Sequence, residues 1–161
     1  MPGDEKELAK QGNNPKIAKN LIDTFPSPYT LTDAKKWIKL HKDSKKNNFA
    51  IIIKNKVAGC IGFSFKDGDK AHVAVMGYWL GEEYWGKGIA TKVAKLVVKY
   101  IFDNFKIERI EAKVYTWNPP SAKVLEKVGF KLEGTSRMST LKAGTIVDEW
   151  IYSIIRNDLK E

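Results

Sequence analysis

The stretch Tyr78-Trp79-Leu80-Gly81-Glu82-Glu83-Tyr84-Trp85-Gly86-Lys87-Gly88-Ile89-Ala90-Thr91 runs directly into the helical pattern of residues 92–105. It reads as a strand, a glycine-bearing loop and a helix. In that order the free backbone N–H groups of the loop and the positive end of the helix dipole converge on one point, and that point suits an anion. Gly86 and Gly88 put no side chain between the backbone and a bound phosphate, and Lys87 adds positive charge beside them. Neither common phosphate motif is met: G-x-x-x-x-G-K-[ST] is absent, and Thr91 stands where a dinucleotide fingerprint needs a third small residue.

Downstream of the loop, Ile89, Val93, Leu96, Val97, Tyr100 and Ile101 recur at helical intervals and predict one apolar stripe packed on a sheet. A strand at 109–117 follows within a few residues. A strand, helix, strand unit of this length predicts a parallel pair with a right-handed crossover. Pro119 and Pro120 then open a short helix that ends at a left-handed cap on Gly129, and runs 130–140 and 146–155 form a hairpin around the loop 141–145.

Upstream, the β-rich runs 49–53 and 57–65 are joined by Lys54-Asn55-Lys56 and predict an antiparallel pair. Asp67-Gly68-Asp69-Lys70 marks a turn before the strand 72–80 that feeds the loop. Residues 5–11 suit a helical turn or two, and Asn14 before Pro15 predicts a capped helix over 15–21. Phe25-Pro26-Ser27-Pro28-Tyr29 breaks any helix, and its two aromatics read as packing residues ahead of the alternative, substrate binding. Thr32 is read as the cap of a helix over 33–45 whose core face carries Ala34, Trp37 and Ile38, with His41 one turn on.

Length and composition fit one domain spanning 1–161, with apolar and charged fractions of a globular protein. The formal charge of +9 is scattered rather than massed. That pattern argues against a nucleic-acid partner and for a solvated basic surface that steers a phosphate-rich ligand. No window approaches eighteen apolar residues and no basic-then-apolar leader is present, so the expectation is a soluble cytoplasmic protein with no membrane association. Cys60, alone in an apolar strand, reads as a buried structural thiol in a reducing compartment. His41 and His72 do not cluster, and the Asp67/Asp69 pair lacks the rest of a calcium loop, so no metal site is expected.

A second block, Asn118-Pro119-Pro120-Ser121-Ala122-Lys123-Val124-Leu125-Glu126-Lys127-Val128-Gly129-Phe130, begins thirty residues after Gly88 with a strand between. It is similar to the N-x-x-S-x-x-x-[YL]-x-x-x-G-F block of the GNAT N-acetyltransferase superfamily, and Gly86-Lys87-Gly88-Ile89-Ala90 resembles the family's pyrophosphate loop, R/Q-x-x-G-x-G/A. The resemblance covers residues 49–155. The words Gly-Tyr-Trp-Leu and Trp-Gly-Lys-Gly point to the branch that includes ribosomal-protein N-terminal acetyltransferases. The fold it implies is α/β: a twisted, mostly antiparallel sheet with one splayed parallel pair and helices on both faces. The family's first strand is missing at the N-terminus, which leaves either one edge strand fewer or another segment covering that edge.

The resemblance also implies chemistry. Acetyl-CoA donates an acetyl group directly to a primary amine, either a protein N-terminus or a small amine. The pantetheine arm pairs with backbone near Tyr78, Trp79 and Leu80, the pyrophosphate lies on Trp85, Gly86, Lys87, Gly88, Ile89, Ala90 and Thr91, and Asn118 and Ser121 contribute from the second block. An N–H at or next to Leu80 is the oxyanion donor, and Ser121 is either the proton donor to sulfur or a cofactor ligand.

Three positions depart from the family pattern: Leu125 where many relatives have tyrosine, Val75 where this branch often has glutamate, and Trp85 where the loop usually starts with arginine or glutamine. Glu82 and Glu83 read as solvated, which leaves the base open to water or a carboxylate from another segment. A catalytically silent acyl-CoA-binding domain is the alternative reading. The acceptor is assigned to the variable loops 26–32 and 141–145, and a homodimer is left open.

Overall fold

The computed structural model describes residues 3–42 and 47–160. In chain order these form α1 (Asp4–Gly12), α2 (Pro15–Ala18), α3 (Leu31–His41), β1 (Asn48–Ile53), β2 (Lys56–Phe65), β3 (Val73–Leu80), α4 (Ile89–Asn104), β4 (Arg109–Tyr115), α5 (Pro119–Val128), β5 (Lys131–Lys142) and β6 (Thr145–Ile155). The six strands make one mixed sheet in the order β1-β2-β3-β4-β6-β5. Its parallel pair is β3 with β4, registered at Val73 with Arg109, Ala74 with Ile110 and Val75 with Glu111. Both strands continue past that register, to Leu80 and Tyr115.

Both hairpins turn more tightly than their sequences suggest. Lys54 and Asn55 adopt φ of 48° and 60°, and Ala143 and Gly144 adopt 47° and 80°. Two left-handed residues in succession make the two-residue turn whose twist matches flanking strands. The expected loop over 141–145 is therefore mostly strand, with Leu141 opposite Ile146 and Lys142 opposite Thr145.

Packing divides the chain into two compact units. One takes the residues up to Gly62 together with Tyr78–Ile89; the other takes Phe63–Gly77 together with the residues from Ala90 on. In the first, Leu8, Tyr29, Ala34, Val57 and Cys60 form a core, with Phe25, Trp37, Ile38 and Trp79 packed against it. Phe25 stacks on Tyr29 at 4.8 Å and meets Trp79 edge-on at 5.8 Å, so the aromatics of the proline loop are packing residues. Burial raises the Cys60 thiol to about 12, which keeps it protonated and inert.

Helix α3 starts earlier than its sequence suggests. Thr30, not Thr32, is the cap: its Oγ1 accepts from the Asp33 N–H at 3.2 Å, and Asp33 Oδ2 accepts from the Thr30 N–H at 2.9 Å. This reciprocal pair satisfies two donors at once, which a cap at Thr32 with Lys35 three residues on cannot do. Residues 43–45 of the expected helix, like Met1 and Pro2, lie outside the described residues. Helix α2 stops at Ala18 rather than at residue 21, with the Asn14 side chain accepting from the Lys16 N–H at 2.9 Å.

In the second unit α4 buries Ala94, Val97, Val98, Ile101 and Phe102, whereas Leu96 is 62% exposed. The inward stripe is thus rotated by about one residue from the expected one. Phe63, Phe65, Tyr100 and Phe105 form a ring cluster with centroids between 5.0 and 6.3 Å apart. The end of α4 is closed by Arg156, which donates to the carbonyls of Phe102, Phe105 and Ile107 at 2.7, 3.0 and 2.6 Å. A cation on these C-terminal carbonyls satisfies groups the helix leaves unpaired. Helix α5 buries Ala122, Leu125 and Val128 and ends, as expected, at Gly129 with φ of 111°.

Candidate functional site

The loop after β3 is held by short contacts to β2 and within itself. The Gly81 N–H donates to the Ala58 carbonyl at 2.7 Å, Glu82–Tyr84 make one tight helical turn, and the Trp85 indole N–H donates to the Leu80 carbonyl at 2.7 Å. Lys87 folds back, its Nζ donating to the Glu83 carbonyl at 2.7 Å. Gly86 and Gly88 both have φ of 71°, and a Cβ on either would meet nothing within 4 Å. The open side of the loop is thus backbone alone, and it leads into the first turn of α4 at Ile89, Ala90 and Thr91, whose N–H groups have no partner four residues back. An anion placed there meets donors and no obstructing side chain.

Two anchors from the N-terminal helices fix this loop. Buried Gln11 donates to Glu83 at 2.6 Å, and Glu82 accepts from Asn14 Nδ2 at 2.8 Å and from Lys16. The bonds from Lys16 and Asn14 hold the Glu82 carboxyl below its ordinary value. Glu82 and Glu83 read as solvated from the sequence; each is exposed, and each is also tethered to the N-terminal segment. Gly81 has a steric reason as well, because a Cβ there would lie 2.1 Å from Gln11 Oε1. With the Gly81 N–H committed to Ala58, the expected oxyanion donor cannot be that neighbour of Leu80.

In the other unit, Asn118 Oδ1 accepts from the Ser121 N–H at 3.4 Å and caps α5. Ser121 is half-buried on the first turn. Leu125 is 1% exposed, so the position where many relatives carry tyrosine is a core position here. Val75 faces no carboxylate partner of its own strand; its register partner Glu111 is ion-paired to Lys66 and Arg109. Arg109 also grips Glu133 with both terminal nitrogens, one at 2.6 Å, and Ser153 donates to the same carboxylate at 2.7 Å. Those bonds, Arg109 first and Ser153 second, hold Glu133 down at about 2.

Three residues carry no local signal in the sequence: Gln11 and the Trp85 indole as a donor in the first unit, and Glu149 in the second. Glu149 is the buried carboxylate among the described residues, 7% exposed, and its Oε2 accepts from Lys113 Nζ and Ser139 Oγ at 3.1 Å each. Among the described residues no group of three or more His, Cys, Asp or Glu is placed to hold a metal ion, and no helix is long and apolar enough to cross a membrane.

Residues 2–131 match the family model described as Acetyltransferase (GNAT) domain. The chain belongs to that family and is an acyltransferase of the N-acetyltransferase type. It is 31% identical, over 96% of its own length and 89% of the relative's, to the uncharacterized N-acetyltransferase p20 of Bacillus licheniformis. Among solved structures it is similar to the microcin C7 self-immunity acetyltransferase MccE, solved in complex with acetyl-CoA and AMP: 27% identity, TM-score 0.79, covering 94% of this chain and 86% of that one. It is also similar to the ribosomal-protein-S5-alanine acetyltransferase of Vibrio fischeri, with 27% identity and a TM-score of 0.77 over 98% of this chain and 91% of that one. The branch suggested by the Trp-Gly-Lys-Gly words accords with the second.

Proposed function

We propose that this protein transfers the acetyl group of acetyl-CoA directly to a primary amine, a protein N-terminus or a small amine. The observation that carries the reading is the loop from Trp85 to Thr91: two left-handed glycines with open space over them, leading into the N-terminus of a sixteen-residue helix. That cradle suits a pyrophosphate, and Trp85, Gly86, Lys87, Gly88, Ile89, Ala90 and Thr91 line it. The backbone of Tyr78, Trp79 and Leu80 receives the amide-bearing arm. The Leu80 carbonyl is already taken by Trp85, which leaves N–H groups of this strand end to meet the arm and the developing oxyanion.

Asn118 and Ser121 complete the assignment. Since Asn118 Oδ1 is spent on the α5 cap, the group it can offer a cofactor is the Nδ2 donor. Asn118→Asp keeps the capping oxygen and removes that donor; retained melting temperature with weakened coenzyme A binding supports the role, and retained binding reduces Asn118 to a cap. Ser121 is assigned the proton for the departing sulfur, because Leu125 has none to give. The transfer needs no acyl-enzyme: a neutral amine nitrogen attacks, the C–S bond breaks, and proximity of the two substrates supplies much of the acceleration.

Thiol release from acetyl-CoA, followed against a panel of N-terminal peptides, polyamines and small amines, tests the reading. Turnover with one amine class supports it. Coenzyme A binding without turnover on any of them supports instead the silent acyl-CoA-binding domain, which the residues at 75 and 125 motivate.

A further inference from the structure

We infer that Glu149 is the group that receives the acceptor's ammonium and takes its proton, an inference that rests on the acetyl-transfer reading above. Relatives of this branch often place a glutamate at the position of Val75, and Glu82 and Glu83 are tied to the N-terminal helices. Glu149 is a carboxylate held in place by the sheet itself. It is the register partner of Tyr115, the last residue of β4. Where a helix joins parallel strands, ligands bind outside the carboxyl ends of those strands, and β4 is such a strand. Directly paired residues of an antiparallel ladder put their side chains on the same face a few ångströms apart. Glu149 therefore stands beside Tyr115 at the end from which the chain passes to Asn118 and Ser121.

The carboxylate is also half committed and half available. Lys113 and Ser139 both bind Oε2, from β4 and β5 respectively. Oε1 takes no hydrogen bond among the described residues, and it does not number among the fully enclosed unpaired atoms. A carboxylate only 7% exposed, with one oxygen fixed and the other not hydrogen-bonded, has the form of a cation receptor rather than of a surface ion pair. Tyr115 stacks with Trp117 at 4.7 Å on the strand end it shares, and aromatic faces favour a neighbouring ammonium.

One proton of the acceptor's ammonium passes to Glu149 Oε1, and the freed nitrogen pair forms the C–N bond to the thioester carbon. The C–S bond breaks with its electron pair going to sulfur. Ser121 gives its proton to the sulfur and is restored, directly or through water, by the second proton leaving nitrogen, and Glu149 returns its own to solvent.

The test uses the full chain and the amine found by thiol release. Glu149→Gln should lower kcat/KM for a basic alkylamine by about a hundredfold or more. For an amine of low basicity, already neutral at the assay pH, the loss should be several times smaller. Coenzyme A affinity, measured by calorimetry on the same sample, should be unchanged. Equal losses for both amines, or none, overturn the assignment while leaving the acetyl-transfer reading intact; a wild type that turns over no amine overturns both. If Glu149→Gln does not fold, Lys113→Gln, at a half-exposed side chain, serves in its place. Freed of its competing cation, Glu149 should bind the alkylammonium more tightly and KM should fall several-fold, whereas a KM unchanged or raised counts against the inference.

Discussion

The indole N–H of Trp85 donates to the carbonyl oxygen of Leu80 at 2.7 Å and closes residues 80–85 into a ring. The arginine or glutamine usual at this point of the family loop is replaced by a residue that spends its one donor on the backbone. Trp85→Phe keeps an aromatic ring and removes the donor. A neutral hydrogen bond is worth about 1 kcal/mol net, so coenzyme A affinity should fall roughly three- to tenfold by calorimetry. The melting temperature should stay within a few degrees, since Trp85 is 42% exposed. Affinity equal to wild type would show that the indole contact does not order the loop for binding.

Gly88 tests the anion site by charge rather than by bulk. Asn and Asp are the residues that tolerate its left-handed conformation best after glycine, and neither Cβ would meet an atom within 4 Å. Gly88→Asn and Gly88→Asp should both fold, and the aspartate variant should bind coenzyme A at least about tenfold more weakly than its isostere, because only the carboxylate repels a pyrophosphate. Equal affinities would remove the loop from the binding site.

How far the sequence carried these assignments follows from the range of the interactions. The loop, the α5 cap and the Gly129 terminus are local motifs, and each is where the spacing placed it. Thr30-Leu31-Thr32-Asp33 holds a capping-box signal too, a threonine three residues before an acid, and two threonines two positions apart leave the cap ambiguous until the hydrogen bonds place it on Thr30. Leu96 fitted the 3.6-residue stripe and is exposed because the inward side is set by which face of α4 meets the sheet, a tertiary choice that periodicity fixes only to within a residue. Glu149 had no local mark at all. Its environment is made by residues 36 and 10 positions away, Lys113 and Ser139, through strand pairings that one sequence does not reveal.

The Arg109–Glu133 pair predicts a pH dependence with a definite sign. Hydrogen bonds from Arg109 and then Ser153 lower the Glu133 carboxyl from 4.5 to about 2 in the folded chain. The folded state therefore binds fewer protons, and the stability this contributes is present above pH 4.5 and lost as pH falls through 2. Glu133→Gln should melt lower than wild type at pH 7, by roughly 1–2 °C because the side chain is 42% exposed and the pair is screened. That gap should close between pH 4.5 and 2. A gap that is constant with pH, followed by circular dichroism melts, would assign the loss to packing instead of charge.

Ser121 is the hydroxyl assigned to protonate the departing sulfur, and its surroundings make the variant clean. The α5 cap uses the backbone N–H of Ser121, donating to Asn118 Oδ1, so Ser121→Ala leaves that bond in place. Leu125, one turn on and 1% exposed, belongs to the core and has no proton to offer in its stead. If Ser121 supplies the proton, the alanine variant should lose about a hundredfold in turnover while the Michaelis constant for acetyl-CoA moves little. If Ser121 only binds the cofactor, that constant should rise with turnover preserved at saturation. The comparison of kcat and KM with the best amine decides between them, and full turnover at saturating acetyl-CoA leaves water as the proton source.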